Sequence, residues 1–184
     1  IFRLAWHLTE SIRQNKQFLL NLGKPALLCF VSLLGIQLIA YLYFLSQLPL
    51  SYDEWWSYAN FSGQGFWYSF SRYPLPNNHV LYNVISSQVL SLPIDIKYST
   101  RLTSVISSLV CSYLFFKICK QYFSNSISLL LLVFSLYSFP VVMYGFQARG
   151  YSLVCLFAVL LIYTSLHLIE SYKNKSKYRV YLIL

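Results

Sequence analysis

Charged side chains are scarce in this sequence of 184 residues, which is only 10% charged and contains just five acidic residues. A soluble globular domain usually carries about 25% charged residues, so a water-soluble domain is disfavoured. The composition also excludes a collagen, a coiled coil, a disordered tail and a disulfide scaffold. Long apolar runs fill the chain instead, whereas a transmembrane β-barrel alternates polar and apolar residues. The sequence therefore predicts an all-α membrane protein with several transmembrane helices.

Several common functional motifs are also absent. No run of Lys and Arg alternates with stacking aromatics, so we expect no nucleic-acid partner despite a formal net charge of +9. The chain has no phosphate loop, no dinucleotide fingerprint and no Cys–His spacing typical of zinc. Its four cysteines lie within or at the ends of apolar segments, which predicts reduced packing residues.

Intervals without charge predict four transmembrane helices and the start of a fifth. A span needs about 20 apolar residues to cross roughly 30 Å of hydrocarbon. The predicted spans are 25–47, 102–116, 127–144 and 151–169, and the fifth begins at Tyr178. The second is short, and we expect the charged side chains at its two ends to extend toward the interface.

The distribution of Lys and Arg favours a cytoplasmic N-terminus. With residues 1–24 as a cytoplasmic segment, ten of the 14 basic residues fall on the cytoplasmic side. We therefore expect a multi-pass protein of a bacterial inner membrane, with a transmembrane domain over 25–184 and an external loop over 49–100. Because the chain begins at Ile1 and ends within an apolar run, we expect it to be the N-terminal portion of a larger membrane protein.

The external loop is rich in aromatic residues, which suits helices that lie in the membrane interface. Within it, residues 78–92 show helical periodicity, with His79 and Asn83 on one side and Leu81 and Ile85 on the other. Two interpretations are open for this stretch. We favour an interfacial helix over a further span, which would invert the topology of everything after it.

Two adjacent carboxylates, Asp53 and Glu54, follow the first span and precede two tryptophans. A carboxylate pair among aromatics at a membrane surface is costly unless it meets a cation or a metal. The pair is therefore a candidate catalytic site, although a helix N-cap at Asp53 would explain it equally well. Asp95 lies near Lys97 and Arg101 in the sequence, which predicts a local ion pair.

Arg149 is the only charged residue between Lys120 and Glu170, and it stands at the outer junction of the third and fourth spans. The predicted topology places it on the same side as Asp53. A guanidinium can bind a phosphate group or simply anchor a helix at the membrane surface. A carboxylate and an arginine facing one cavity suit transfer from a phosphate-linked lipid, since one can remove a proton while the other holds the leaving phosphate. His79 is a further candidate for phosphate or metal binding, with a structural hydrogen-bonding role as the alternative.

Four short motifs occur in an order that resembles the GT-C glycosyltransferases. They are Tyr-Asp-Glu at 52–54, Asn-Asn-His-Val-Leu-Tyr at 77–82, Arg-Leu-Thr-Ser at 101–104 and Gln-Ala-Arg-Gly-Tyr-Ser-Leu at 147–153. The chain is most similar to the branch that includes protein O-mannosyltransferases and the aminoarabinose transferase of lipid A. The similarity extends from about the first span to the fourth.

This resemblance implies an inverting glycosyltransferase that takes its sugar from a polyprenyl-phosphate donor. It implies that Asp53 is the general base, with Glu54 as its neighbour in the catalytic pair. It also implies that Arg149 binds the donor phosphate, and we expect Arg72 and His79 to contribute to this binding. The acceptor would be a glycan, a lipid or a protein, and membrane lipids are the other expected partners.

One departure from the family concerns metal binding. Relatives often carry a Gln-Glu-Ala-Arg run, and the Glu position is occupied here by Gln147. In relatives that use a divalent cation, acids near this position help to hold it. Gln147 offers an oxygen without a charge, so Mg²⁺ or Mn²⁺ is at most an optional cofactor, with Asp53 as its candidate ligand. We further expect Trp55, Asn78 and Tyr151 to line the same cavity as Gln147.

Two other functions would use the same features. A transporter or flippase for lipid-linked sugars needs the arginine and an aromatic groove but breaks no bond. A non-catalytic membrane assembly subunit is the second alternative. The adjacent carboxylates favour the enzyme, since a transporter has no need of them in its first external loop.

Overall fold

The structure, a computed structural model, describes residue 13, residues 15–73 and residues 78–173, with side chains described up to residue 169. Within these ranges the chain is helical and contains no strand. From Lys24 onward its helices are α1 (Lys24–Gln47), α2 (Tyr52–Asn60), α3 (Phe66–Ser71), α4 (Val80–Val89), α5 (Ile96–Tyr122), α6 (Asn125–Leu136), α7 (Phe139–Phe146) and α8 (Tyr151–Lys173), with a 3₁₀ turn at Ser62–Gln64.

Among the described residues, three helices are long and apolar enough to cross a membrane, namely α1, α5 and the Tyr151–Ile169 part of α8. A fourth crossing is present if α6 and α7, which bend by 65° at a short break, are counted as one span. The predicted all-α fold with several helices of membrane-spanning length is therefore confirmed for the described residues. The predicted fifth span, which begins at Tyr178, lies outside the described residues.

The third predicted span is not one continuous helix. Its break falls between Leu136 and Phe139, directly before Pro140. Proline has no backbone N–H and its ring clashes with the preceding turn, so it is tolerated in the first turn of a new helix and not within an old one. The third predicted span, 127–144, therefore corresponds to two helices that meet at a bend, and Pro140 is the physical reason for the bend.

The bent pair carries the chain from one end of the bundle to the other. At its start, the Asn125 side chain donates to the carbonyl of Leu22, which precedes α1. After its end, the backbone N–H of Ala148 donates to Glu54 at the opposite end of α1. We call the end that contains Glu54 and Arg101 the carboxylate end, and the end that contains Leu22 and Lys117 the lysine end.

Helix α5 is longer than the predicted span 102–116. That prediction places Arg101 and Lys117 at the two ends of the span, whereas α5 continues past both residues and includes them. The buried face of α5 includes seven small hydroxyl residues, which allow neighbouring helices to approach closely in a membrane protein. These residues are Ser99, Thr100, Thr103, Ser104, Ser107, Ser108 and Ser112.

Helix α4 is too short to be a further span. Its ten residues rise about 15 Å, half the thickness of the hydrocarbon core. Its polar side faces the protein, where Asn83 and Tyr82 are buried, while Leu81 is 49% exposed. Tyr82 donates a hydrogen bond of 2.6 Å to the carbonyl of Thr100 in α5. The amphipathic pattern thus describes a helix whose hydroxyl and amide groups pack inward against α5.

Candidate functional site

Helix α2 begins with a capping box at the carboxylate end. The Glu54 amide donates to the Ser51 hydroxyl over 3.4 Å, and the Ser51 amide donates to Glu54 Oε2 over 2.8 Å. This reciprocal pair satisfies two backbone donors at the start of the helix. The N-cap is therefore Ser51, and the alternative that Asp53 caps this helix is wrong. Asp53 lies in the first turn, where a carboxylate interacts favourably with the helix dipole.

Glu54 is buried in a bidentate ion pair with Arg101. Arg101 Nε and Nη2 donate to the two carboxylate oxygens over 2.8 and 2.7 Å, and the two side chains are only 1% and 2% exposed. Arg101 also donates to the carbonyls of Leu48 and Pro49, between α1 and α2. Burial by itself would raise the pKa of Glu54, but the hydrogen bonds from Arg101, Ala148 and Ser51 outweigh it and lower that pKa below its ordinary value.

The same carboxylate fixes the loop that carries Arg149. Ala148 donates its backbone N–H to Glu54 Oε1 over 2.6 Å, and the Arg149 N–H donates to the Gln147 carbonyl over 2.7 Å in a tight turn. The Ser104 hydroxyl of α5 lies within hydrogen-bonding distance of the Gln147 and Arg149 carbonyls. Helices α2 and α5 therefore jointly set the position of this loop.

A second arginine–carboxylate pair, Arg149 and Asp53, lies beside the first. We call Arg101–Glu54 the closed pair, because it is buried and bidentate, and Arg149–Asp53 the open pair, because its carboxylate is exposed. Arg149 is 4% exposed, and its Nη1 donates to the Ser57 hydroxyl over 3.1 Å. Its Nη2 is 4.0 Å from Asp53 Oδ2, and the Asp53 side chain is 61% exposed. This distance is at the limit for an ion pair, and the Asp53 carboxylate stays accessible to solvent. A buried guanidinium is thus held in place next to an accessible carboxylate.

A cavity of about 510 Å³ lies directly over this pair. Its lining contains the predicted residues Asp53, Gln147, Arg149 and Tyr151, and it brings together α2, α7, α8 and the loop between the last two. The remaining lining residues are Ser51, Tyr52, Phe139, Met143 and Tyr144. The volume is within the usual range for small-molecule sites, about 300–1,000 Å³.

Other residues predicted for the site lie outside this lining. Glu54 is behind it, with both oxygens engaged. Trp55 packs edge-on against Tyr58. Arg72 is exposed, with its guanidinium 5.4 Å from the Tyr68 ring centroid.

Asn78 also lies outside the cavity lining. It is buried between the Arg72 carbonyl, to which it donates, and Asn83, from which it accepts. This geometry gives it a role at the start of α4.

His79 lies behind the cavity wall and touches it through Tyr151. The two rings meet edge to face at 5.1 Å between centroids, and a Cβ on Gly150 would stand only 2.8 Å from His79 Nδ1. Burial, and secondarily the charge of Arg149, lowers the pKa of His79 below its ordinary value. The imidazole is therefore neutral near pH 7 and can offer a phosphate only a neutral N–H donor.

The described part of the chain offers few side chains that could hold a metal ion together. Among them, no group of three His, Cys, Asp or Glu side chains lies close enough together to hold an ion. At the cavity, Asp53 offers one carboxylate and Gln147 one amide oxygen, fewer than the several oxygens that Mg²⁺ or Mn²⁺ takes from protein and water. Asp53, the candidate metal ligand, thus has only the uncharged amide oxygen of Gln147 beside it in the cavity lining and no second acid there.

One further expectation, the local ion pair of Asp95, changes at this end of the molecule. Asp95 does not share Arg101, which pairs with Glu54. Instead Asp95 is the N-cap of α5 and accepts from the Lys97 amide over 2.8 Å. The roles of Ser51 and Arg101 were not predicted. The Ser-x-x-Glu spacing at 51–54 is a capping-box signature that identifies Glu54 as a helix-start residue.

Comparison of the chain with protein-family models, with curated proteins and with solved structures gave no match.

Proposed function

We propose that this chain is part of a membrane glycosyltransferase that transfers a sugar from a polyprenyl-phosphate donor to an acceptor hydroxyl. One observation carries the proposal: the exposed carboxylate of Asp53 lies 4.0 Å from the buried guanidinium of Arg149 at the wall of a cavity in a bundle of membrane-type helices. A general base beside a fixed cation suits a reaction that removes a proton and releases a phosphate.

In the proposed reaction, the acceptor hydroxyl oxygen attacks the anomeric carbon and the bond from that carbon to the phosphate oxygen breaks. The bonding electrons leave with the polyprenyl phosphate, and Asp53 takes the hydroxyl proton. Attack opposite the leaving group inverts the anomeric centre. Arg149 stabilises the developing phosphate charge without reorganising, since Ser57 and the loop already fix its position. No step is assigned to a metal ion.

Glu54 acts in this proposal as a positioning residue. It touches neither the cavity nor the reacting groups, yet it ties the start of α2 to the loop of Arg149. Arg72 and His79 do not contact the leaving phosphate in the proposed arrangement, since neither belongs to the cavity lining. Tyr52, Tyr144 and Tyr151 supply an aromatic wall suited to a sugar or a prenyl chain.

The first experiment replaces the proposed base. Asp53→Asn keeps size and exposure and removes the proton acceptor, so we expect sugar transfer to fall by about 10²–10⁴-fold while donor binding is retained. The assay follows transfer and donor consumption with polyprenyl-phosphate mannose, glucose and aminoarabinose and purified full-length protein in detergent.

Asp95→Asn is the matched control. It removes a carboxylate at an N-cap where asparagine serves equally well, so it should leave transfer unchanged. Transfer by Asp53→Asn within about twofold of wild type would overturn the assignment of the base. Donor that binds to the wild-type protein but is never consumed would overturn the enzyme in favour of a transporter or an assembly subunit.

A second experiment tests whether two residues of the cavity lining, Tyr52 and Tyr144, are reached from the same side of the membrane. In a background without native cysteines, an impermeant maleimide should label Tyr52→Cys and Tyr144→Cys from one side, outside the cytoplasm, and Tyr122→Cys from the other. All three tyrosines are at least 42% exposed. Labelling of Tyr52→Cys and Tyr144→Cys from opposite sides would contradict a common cavity in the membrane.

A further inference from the structure

A second cavity, of about 390 Å³, lies at the lysine end of the bundle. It is formed where the stretch before α1 meets the last turns of α5 and the middle of α8. Lys117 stands 16 residues after Arg101, so these two residues, which mark the lysine end and the carboxylate end, are about 24 Å apart along α5. Nothing in the proposed glycosyl transfer uses this second cavity.

The ammonium of Lys117 is positioned here by neutral groups. It donates to Asn15 Oδ1 over 2.9 Å, and Tyr113 donates to the same oxygen over 3.0 Å. Aromatic rings surround it, with the centroid of Tyr163 at 4.8 Å and that of Phe18 at 5.6 Å. Such contacts hold a cation in place, and none of these described partners carries a negative charge.

Lys120 lines the same cavity, one turn further along α5. Its ammonium donates over a long 3.4 Å to the Phe123 carbonyl. Among the described residues, no carboxylate lies within 4.0 Å of either Lys117 or Lys120. The two ammonium groups and the side chains of Asn21 and Gln121 therefore present hydrogen-bond donors to one space, with an apolar flank at Phe18.

We propose that this cavity binds a phosphate group, carried by an anionic lipid head group or by a small phosphate compound. Two adjacent cations suit an anion that carries one to two negative charges, and the amide donors suit its several oxygens. The apolar flank would accept the glycerol or acyl portion of a lipid. In the orientation predicted from Lys and Arg counts, this end faces the cytoplasmic leaflet, where anionic lipids attract basic groups. The proposal does not depend on the glycosyltransferase assignment.

The test is a calorimetric titration of the full chain in an uncharged detergent. The probes are dihexanoyl phosphatidic acid, inorganic phosphate and dihexanoyl phosphatidylcholine. We expect phosphatidic acid to bind and the Lys117→Gln and Lys120→Gln variants to weaken it by at least about tenfold. Lys24→Gln is the matched control, because Lys24 is exposed at the same end and outside the lining, and it should bind like wild type.

The probes separate the two sources of phosphate. Lysine-dependent binding of inorganic phosphate would assign the site to a small phosphate compound, whereas lysine-dependent binding of phosphatidic acid alone would assign it to a lipid. Equal affinity for phosphatidylcholine, or equal binding by wild type, Lys117→Gln and Lys120→Gln, would overturn the proposal. Lys120→Gln keeps the test valid if Lys117→Gln unfolds, since Lys120 is not enclosed by the rings.

Discussion

Two arginine–carboxylate pairs lie side by side at the carboxylate end, and one is closed while the other is open. Arg101 and Glu54 meet through two short hydrogen bonds and are almost fully buried. Arg149 and Asp53 approach only to 4.0 Å, and Asp53 is 61% exposed. Both pairs join an arginine to a carboxylate, so the difference comes mainly from where the chain places them.

The comparison separates a structural role from a chemical one. A buried carboxylate with four hydrogen bonds has no lone pair to spare for a substrate proton, and its low pKa makes it a poor base. An exposed carboxylate beside a fixed guanidinium keeps its oxygens available. The closed pair holds the backbone that presents the open pair, because Glu54 is the direct neighbour of Asp53 and also binds the N–H next to Arg149.

Breaking the closed pair should have the largest effect on stability. Glu54→Ala leaves Arg101 buried without its counter-ion, so we expect a loss of about 3–5 kcal/mol in the free energy of unfolding. Thermal and chemical unfolding in detergent, followed by circular dichroism, measures this loss. Asp53→Ala is the matched control in the open pair and should change the unfolding free energy little, since its side chain is solvated.

A double variant sharpens the same test. Glu54→Leu combined with Arg101→Met removes both buried charges, and it should be more stable than Glu54→Ala alone, because no unpaired charge remains. If Glu54→Ala and Asp53→Ala cost the same, the distinction between a closed and an open pair would be lost.

Crowding the Arg149 loop should have the next largest effect. A Cβ at Gly150 would lie 2.8–3.0 Å from three atoms of His79, so Gly150→Ala must displace that ring or the loop. We expect a cost of about 1–3 kcal/mol and reduced sugar transfer, since Arg149 is the adjacent residue. Gly35→Ala is the control, because a Cβ there meets no atom within 4 Å. Equal stability and transfer in the two variants would show that this loop is not held tightly.

The apolar helices could be predicted well from the sequence, because an apolar interval of about 20 residues without charge usually forms a membrane-spanning helix. The first and fourth spans, predicted at 25–47 and 151–169, match α1 and α8 closely. The second predicted span, 102–116, is shorter than α5, because a charged residue such as Arg101 usually marks the end of an apolar helix. A buried arginine inside a helix requires a distant partner, and that partner, Glu54, is 47 positions away in the sequence.

The two neighbouring acids show why the site itself was harder to predict. Asp53 and Glu54 are chemically similar and adjacent, so composition and topology treat them alike. Their different roles follow from helix geometry, which turns Glu54 toward α5 and leaves Asp53 at the cavity. Only the Ser51–Glu54 spacing carries local information about this choice, whereas the contact with Ala148 depends on tertiary packing.

Acid should weaken the closed pair by protonating the Glu54 carboxylate. The pKa of Glu54 is lower in the folded chain than its ordinary value of 4.5. The stability it contributes is therefore complete above about pH 4.5 and is lost as the pH falls below that value through the folded pKa. Unfolding midpoints measured between pH 6 and pH 3 should fall less steeply for Glu54→Gln than for wild type. A curve for Glu54→Gln that runs parallel to that of wild type would contradict the role of this carboxylate.

The smallest expected effect is electrostatic and is measured at His79. Burial, and then the charge of Arg149, holds the pKa of His79 below 6.5, so NMR titration of labelled imidazoles should give a midpoint under that value. Removing the charge with Arg149→Gln should raise the midpoint without restoring it fully, because burial is the larger cause. Arg72→Gln removes an exposed charge nearby in the sequence and should leave the midpoint unchanged. The same shift in both variants would mean that the field of Arg149 is not focused on the cavity wall, and its proposed action on a leaving phosphate would lose its electrostatic basis.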